Sequence, residues 1–383
     1  MPAHTPDDRA LHTMKVLLVV LVCLAGAFAY GTVEFTMTGN RGADFNQFRS
    51  AAILAGTGHL FDYPLLARIE HQHHERFVAF GRIPFFPVVF KPIAWLPYEW
   101  GHWLWWAINV AAIAGFAWLW PFKPPGYLAA LFWSVPVWLL LNYGQDTALF
   151  LVFAIAALWL LLRYRDFAAG LVLALCASKF HLALALPVVL AATRRWRALA
   201  GGFAGCLAIL GVSFAAEGWA WPVRAFEVSH HPEFNPAAWR MPNLAGLVQA
   251  LPLAGVWELV LAVATLAAVW MIARKRTLEI AMMAALAAGL LLSHHAQAYD
   301  CVLYLPAIFA VLALWKLRGL RLWAYALLLP VPYLLLLDAR YTDWVRPVIV
   351  GFPMALLAML AFGDSRWPSL PDPPSRITAS NPA

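Results

Sequence analysis

The chain has 383 residues, 63% of them hydrophobic and only 12% charged, with a mean hydropathy of +0.69. A soluble domain carries roughly a quarter charged residues, so this composition excludes a soluble globule and describes an integral membrane protein. The net charge of +7 is not a nucleic-acid signature, because most Lys and Arg lie in short loops between apolar runs, where they orient a protein in the bilayer.

The apolar runs are continuous rather than alternating, which points to helices and not to a barrel. The expected fold class is therefore an all-α polytopic membrane protein. Cys23, Cys176, Cys206 and Cys301 lie in or beside apolar runs without paired spacing, which argues against a disulfide framework or a structural zinc site. Residues 1–14 read as a cytoplasmic N-terminus. The run Val16 to Tyr30 follows Lys15 and lacks a small-x-small cleavage site, the pattern of a retained signal anchor.

With about 20 residues per crossing, and fewer where burial helps, the chain accommodates about twelve passes. They fall near 15–36, 98–120, 126–142, 146–163, 167–178, 180–192, 198–216, 254–273, 277–293, 300–315, 320–337 and 344–362. This makes 15–363 one membrane domain, with a long first outer loop at 37–97 and a polar, disordered tail over 364–383. Basic residues support the topology. With the N-terminus inside, the inner loops carry Lys123, Arg163, Arg165, Arg194, Arg195, Arg197, Arg274, Lys275, Arg276, Lys316, Arg318 and Arg321. The outer turns Asn142–Asp146 and Ser293–Asp300 carry none. The C-terminus is then also cytoplasmic. One step has an alternative: Phe167 to Ala192 is either one crossing or two short ones broken at Ser178-Lys179-Phe180-His181. The break is preferred, since a Lys at mid-membrane costs about 2.5–3.5 kcal/mol.

In this topology the unusual polar residues collect on the outer side. Asp44 is the first acid beyond the first crossing, and Phe45, Phe48, Ala52 and Leu60 could lay its helix on the bilayer surface. A carboxylate there reaches both a lipid headgroup and a water-borne hydroxyl; alternatively it is a helix cap. The loop continues through His71, His73, His74 and Glu75, metal-type ligands whose spacing matches a helix face only for His71 with Glu75. It ends in the proline-punctuated, amphipathic stretch Arg82-Ile83-Pro84-Phe85-Phe86-Pro87. In the turn Asn142–Asp146, Gly144 and Asp146 suit a tight turn and a cap, whereas Tyr143 and Gln145 are left to hydrogen-bond a ligand. Lys179 and His181 at a helix break form a candidate phosphate site, or else a snorkelling Lys. Trp219, Trp221 and Trp239 suit an interfacial belt or a platform for sugar rings. In Ser293–Asp300, His294 or His295 could meet a phosphate or carry a proton, and Asp300 could be a cap. Asp338, Arg340, Tyr341, Asp343 and Arg346 are open between ion pairs and ligand contacts.

Taken in order, Asp44-Phe45 with Ala51-Ala52 and Leu54-Ala55-Gly56, Pro84–Pro87 with Pro92 and Leu96-Pro97-Tyr98, Gly144-Gln145, Lys179 with Pro187, and Tyr299-Asp300 with Pro306 resemble the pattern of glycosyltransferase family 87. These are polyprenyl-phosphate-sugar-dependent membrane transferases of the GT-C superfamily, mycobacterial mannosyltransferases among them. The resemblance spans about residues 30 to 310; the family's usual Tyr-Pro-Pro is here Ile83-Pro84-Phe85.

The resemblance implies a GT-C fold with the first outer loop, carrying juxtamembrane helices, over a lipid-accessible cavity. It implies Asp44 as general base and an inverting transfer of a mannose-like or arabinose-like sugar to a lipid or glycan hydroxyl at the periplasmic face of a bacterial inner membrane. The chemistry agrees: a lipid phosphate is already a good leaving group, so the reaction needs a base, charge neutralisation and positioning, with no metal and no cofactor. Lys179, His181, Arg82 and His295 are the expected phosphate ligands, and Tyr143, Gln145, Tyr299 and Asp300 the sugar or acceptor contacts. The expected partners are the donor, the acceptor and membrane lipids, with no nucleic acid; the oligomeric state stays open. Two other readings remain. A transporter or flippase of a lipid-linked sugar or ion would use Asp44, Lys179, His295 and Asp300 as a path, but no two-fold repeat is visible. A metal-dependent protein would use His71, His73 and His74.

Overall fold

The structure, a computed structural model, describes residues 42–73, 77–229, 238–315 and 317–363. The expected first crossing at 15–36, His74, Glu75, Arg76, Lys316 and the tail from Asp364 lie outside the described residues. Among the described residues there are eighteen α-helices, three 3-10 helices and no strand. Four helices are long and apolar enough to cross a membrane: Tyr98–Leu119, Trp196–Glu217, Ala254–Lys275 and Thr342–Phe362. The number rises to six if Val135–Tyr143 with Thr147–Leu162, and Arg318–Leu328 with Val331–Leu337, each count as one bent span.

The other expected passes are built from shorter pieces, and proline is one reason. Helices starting at Val135, Leu186, Leu305 and Val331 have Pro in their first turn, where its fixed φ and missing N–H suit a start and prevent continuation from the preceding helix. The expected pass at 126–142 is accordingly two helices, Tyr127–Trp133 and Val135–Tyr143, divided at Ser134.

The helices bury two apolar cores. The larger is centred on Leu278–Leu292, which is buried from Ile280 to Leu291. The smaller lies in the stretch 42–97, where Ala43–Leu54 packs on Phe85–Ala94 through Phe45, Phe48, Phe86 and Phe90, with Trp105 of Tyr98–Leu119 against them. Phe48 meets Phe86 edge-on at 4.8 Å and Phe90 meets Trp105 at 4.9 Å. This corrects the expectation of a surface-lying helix: Phe45, Phe48, Ala52 and Leu60 are all buried. The apolar residues that suggested a lipid-facing stripe face protein instead, because Phe85–Ala94 covers them. Phe85–Ala94 is the amphipathic element, with Phe86, Phe90 and Ala94 inward and Val89 outward.

The segment 166–192 turns back on itself. Asp166–Ala174 runs parallel to Trp196–Glu217 in a contact so close that a Cβ on Gly170 would overlap the Ala198 carbonyl. At the start of this pair Arg195 Nη1 lies 2.9 Å from Asp166 Oδ1. The loops carrying Arg163, Arg165, Arg194 and Arg195 are thus together at one end. The chain breaks at Lys179, whose φ/ψ of −121/60 interrupts the 3-10 helix Leu175–Leu182, and returns through Leu186–Ala192. At the far end of Trp196–Glu217, about 33 Å away at 1.5 Å per residue, Glu217 accepts a hydrogen bond from Gly56 N at 2.7 Å. That end holds residues of the stretch 42–97 and the polar cluster described next.

Candidate active site

Four irregular points of the backbone converge there. The helix Val135–Tyr143 ends at Gly144, whose left-handed φ of +76° closes the last turn, with the Gly144 and Gln145 N–H groups both donating to the Leu140 carbonyl. A Cβ at Gly144 would lie 2.9 Å from Phe45 Cβ, so the absence of a side chain lets the Asp44 helix sit directly on this turn. Gly42 N donates to the Asn142 carbonyl at 2.7 Å and Trp105 Nε1 to the Gly144 carbonyl at 2.7 Å, clamping the junction. The break at Lys179 and the 3-10 turn Ala298–Tyr304 bring in the remaining groups.

Lys179 Nζ, 3% exposed, lies 2.5 Å from Thr147 Oγ1, 2.9 Å from Asp300 Oδ1 and 3.5 Å from Asp146 Oδ1. Thr147 in turn donates to Asp300 Oδ1 at 2.7 Å, and Asp300 Oδ2 accepts from Gln297 N at 3.0 Å. Asp300 is therefore both a capping-box residue and the counter-ion of Lys179. Arg82 stretches across the turn: Nη1 donates to Asp146 Oδ2 at 2.8 Å, and Nη2 to Gln145 Oε1 at 3.1 Å. Its guanidinium also stands 4.9 Å above the Phe48 ring. Gln145 passes the chain on, with Nε2 donating to the Tyr299 hydroxyl at 3.0 Å. The Tyr143 ring meets Tyr299 edge-on at 5.5 Å.

Asp44 stands at the end of this chain and is treated differently. It sits in the first turn of its helix, not at the cap, which is Gly42 with no side-chain cap bond. Asp44 is 6% exposed; it is hydrogen-bonded to the Gln145 side chain, and its Oδ2 is buried with no partner. Burial pushes its carboxyl up to about 6, against the Gln145 hydrogen bond and the nearby charges of Lys179 and Arg82; Asp146 adds to the rise. Two cations and three carboxylates, Arg82 and Lys179 against Asp44, Asp146 and Asp300, thus share one pocket. It is neutral with Asp44 protonated and carries one negative charge with Asp44 ionised.

The structure brings together Asp44, Arg82, Tyr143, Gln145, Lys179, Tyr299 and Asp300. His181 and His295 flank them, their rings 6.1 Å apart and within electrostatic range of Lys179 and Asp300. Burial holds the His295 imidazole down at about 4, so at neutral pH it is an uncharged hydrogen-bonding group. Outside the pocket, His73 stacks on the Tyr98 ring at 4.1 Å, and among the described residues no group of three or more His, Cys, Asp or Glu could hold a metal. Asp338 pairs with Arg340 and Asp343 with Arg346, away from the pocket. Sequence reasoning did not find the partnership of Asp146 with Arg82, nor Thr147 as the bridge between Lys179 and Asp300. The sequence carried no signal for either, because Asp146 before a helix reads as a cap and only the structure shows that its side chain makes no cap bond.

No curated protein and no solved structure gives a match to this chain. The family model of glycosyltransferase family 87 matches residues 84–294, more than half of the 383 residues. The match contains Tyr143, Gln145, Asp146, Thr147, Lys179 and His181, whereas Asp44 and Arg82 precede it and His295, Tyr299 and Asp300 follow it within six residues. A multi-helical membrane chain, a saturated ionic pocket at one end of its bundle and this match over its central half together place the protein in glycosyltransferase family 87, a family of membrane glycosyltransferases.

Proposed function

We propose that the protein transfers a sugar from a polyprenyl-phosphate donor to a hydroxyl of a lipid or glycan acceptor, with inversion, at the periplasmic face of a bacterial inner membrane. The observation that carries this reading is Asp44: a buried carboxylate whose Oδ2 has no partner, held beside a pocket whose other charges are all paired. In the reaction, Asp44 takes the proton of the acceptor hydroxyl as its oxygen bonds to the anomeric carbon. The bond from that carbon to the donor phosphate breaks, and the lipid phosphate leaves with the electron pair.

The leaving phosphate needs donors. Lys179, 3% exposed, donates to Thr147 and Asp300 and pairs with Asp146 at 3.5 Å, so Arg82, whose side chain is 12% exposed, meets the phosphate first. His181 and the neutral His295 add hydrogen bonds, and Lys179 contributes its field through the pocket. Tyr143, Gln145, Tyr299 and Asp300 contact the sugar or orient Asp44. A GT-C arrangement of about twelve passes, with the basic loops cytoplasmic, fits the return of segment 166–192 and the placement of Arg195 opposite the pocket. A mannose-like or arabinose-like donor follows from the family resemblance.

The test is transfer from a radiolabelled panel of polyprenyl-phosphate sugars in membranes holding the wild type or Asp44→Asn. Transfer by the wild type, reduced about 10²–10⁴-fold in the variant with donor binding kept, supports the mechanism. Equal transfer by both removes Asp44 from it. Label crossing the bilayer without transfer from any donor replaces the transferase with a flippase.

A further inference from the structure

The face of Ala43–Leu54 turned away from Asp44 carries Arg49. Arg49 lies five residues after Asp44, about 140° around the helix at 3.6 residues per turn, and so points away from the ionic pocket. Its guanidinium stands 5.8 Å from the Tyr98 ring. His73 lies flat on that ring, 4.1 Å between centroids and 13° between planes, and His102 meets it edge-on at 6.2 Å while stacking on Phe45 at 5.2 Å.

No acid among the described residues pairs with Arg49. Arg82, Arg195 and Arg346 are each paired, with Asp146, Asp166 and Asp343. Among the described residues Arg49 forms no ion pair, and its Nε is buried without a hydrogen-bond partner. Glu99 is the acid near this cluster among the described residues, and it acts on His73 and Tyr98 rather than on Arg49. A buried guanidinium N–H without an acceptor is costly unless a ligand supplies one. The position says which. Trp95, Trp100 and Trp103 are 78%, 72% and 53% exposed around the start of Tyr98–Leu119, and a band of exposed tryptophan at the end of a spanning helix marks the headgroup level of the bilayer. His73 is exposed beside it.

We propose that Arg49, with His73 beside it on Tyr98, binds the phosphate of an anionic phospholipid headgroup in the outer leaflet. The planar guanidinium offers paired donors that match two phosphate oxygens, and the exposed His73 imidazole adds an N–H group beside them. The site anchors the Asp44 helix to the membrane surface and is independent of what Asp44 does in the pocket behind it.

The experiment uses the full-length protein, delipidated in neutral detergent and titrated with phosphatidylglycerol, phosphatidylcholine or inorganic phosphate, with bound lipid counted by native mass spectrometry. The wild type is expected to retain one phosphatidylglycerol more tightly than Arg49→Gln by about 10-fold or more, as loss of a hydrogen bond to a charged group predicts. Arg49→Lys, a point charge in place of the fork, falls between them. Equal affinity in wild type and Arg49→Gln overturns the proposal. Displacement of the lipid by about 10 mM inorganic phosphate makes it a free-phosphate site, and equal retention of phosphatidylcholine removes the preference for anionic lipid; either outcome also overturns it. If Arg49→Gln does not fold, His73→Gln, altered at an exposed position, must show the same direction of change. A failed transfer assay leaves this result untouched, because the readout is lipid retention.

Discussion

The pocket has two sides of opposite character. Around Lys179 every charge is matched: its ammonium group contacts Thr147, Asp300 and Asp146, and Asp300 is further capped by Thr147 and the Gln297 N–H. Asp44 has one side-chain hydrogen bond from Gln145 and an Oδ2 with none. Both regions are equally withdrawn from solvent, so burial does not distinguish them. Saturation does. A buried charge with all its partners in place is a frame, whereas a buried carboxylate with an open lone pair in the same enclosure is available to take a proton.

This contrast predicts different kinds of damage. The largest effect falls on the open side: Asp44→Asn lowers turnover by about 10²–10⁴-fold with a near-native unfolding profile. On the saturated side, Lys179→Met strips Asp300 and Asp146 of a cation and is expected to cost about 3–5 kcal/mol of stability. Thermal unfolding in detergent measures this loss, and Lys179→Met with Asp300→Asn should recover part of it, as coupled neighbours do. If Lys179→Met unfolds like the wild type, the network is not the frame.

The hinge between the two sides is Gly144. Gly144→Ala forces a left-handed residue to carry a Cβ that meets Phe45, a strain of about 1–3 kcal/mol, and it shifts Asp44 away from Gln145. Turnover should drop about 10-fold or more with a smaller stability loss; unchanged turnover would detach Asp44 from this turn.

The smallest effect concerns Glu70, a buried carboxyl behind the Asp44 helix. Burial pushes it up to about 8, against the hydrogen bond it accepts from Val78 N, and the charge of Asp44 adds to the rise. Because its folded value exceeds the ordinary 4.5, the fold holds this proton more tightly than the unfolded chain does. Stability from this group is present below about 4.5 and is lost as pH rises through about 8. Glu70→Gln should therefore match the wild type near pH 5 and be the more stable of the two near pH 9. A variant less stable at both pH values would give Glu70 a different role.

Much of this was legible in the sequence. Lys179 inside an apolar run forces a break, because a cation at mid-membrane is expensive, and the return of segment 166–192 follows from it. Asp44, Gln145, Tyr299 and Asp300 stood out as polar residues on one side of an otherwise apolar chain. The burial of the Asp44 helix was not legible. Phe45, Phe48 and Ala52 have the spacing of a lipid-facing stripe, and nothing in that spacing says that Phe86 and Phe90 cover them. The Asp146–Arg82 pair was hidden for a related reason: 64 residues separate the partners, and an Asp before a helix has a local explanation as a cap. The count of crossings was blurred by helices that end at prolines and turns well short of a membrane's thickness.

The most direct test of Asp44 as base is the pH dependence of kcat/KM for sugar transfer, measured on the wild type and on Asp44→Asn. General-base catalysis by a carboxyl held near 6 predicts an acid limb at about pH 6 in the wild type, with activity rising as pH rises through it. It also predicts that this limb is absent from the residual activity of the variant. An acid limb near 4, or one near 6 that persists in Asp44→Asn, would contradict it.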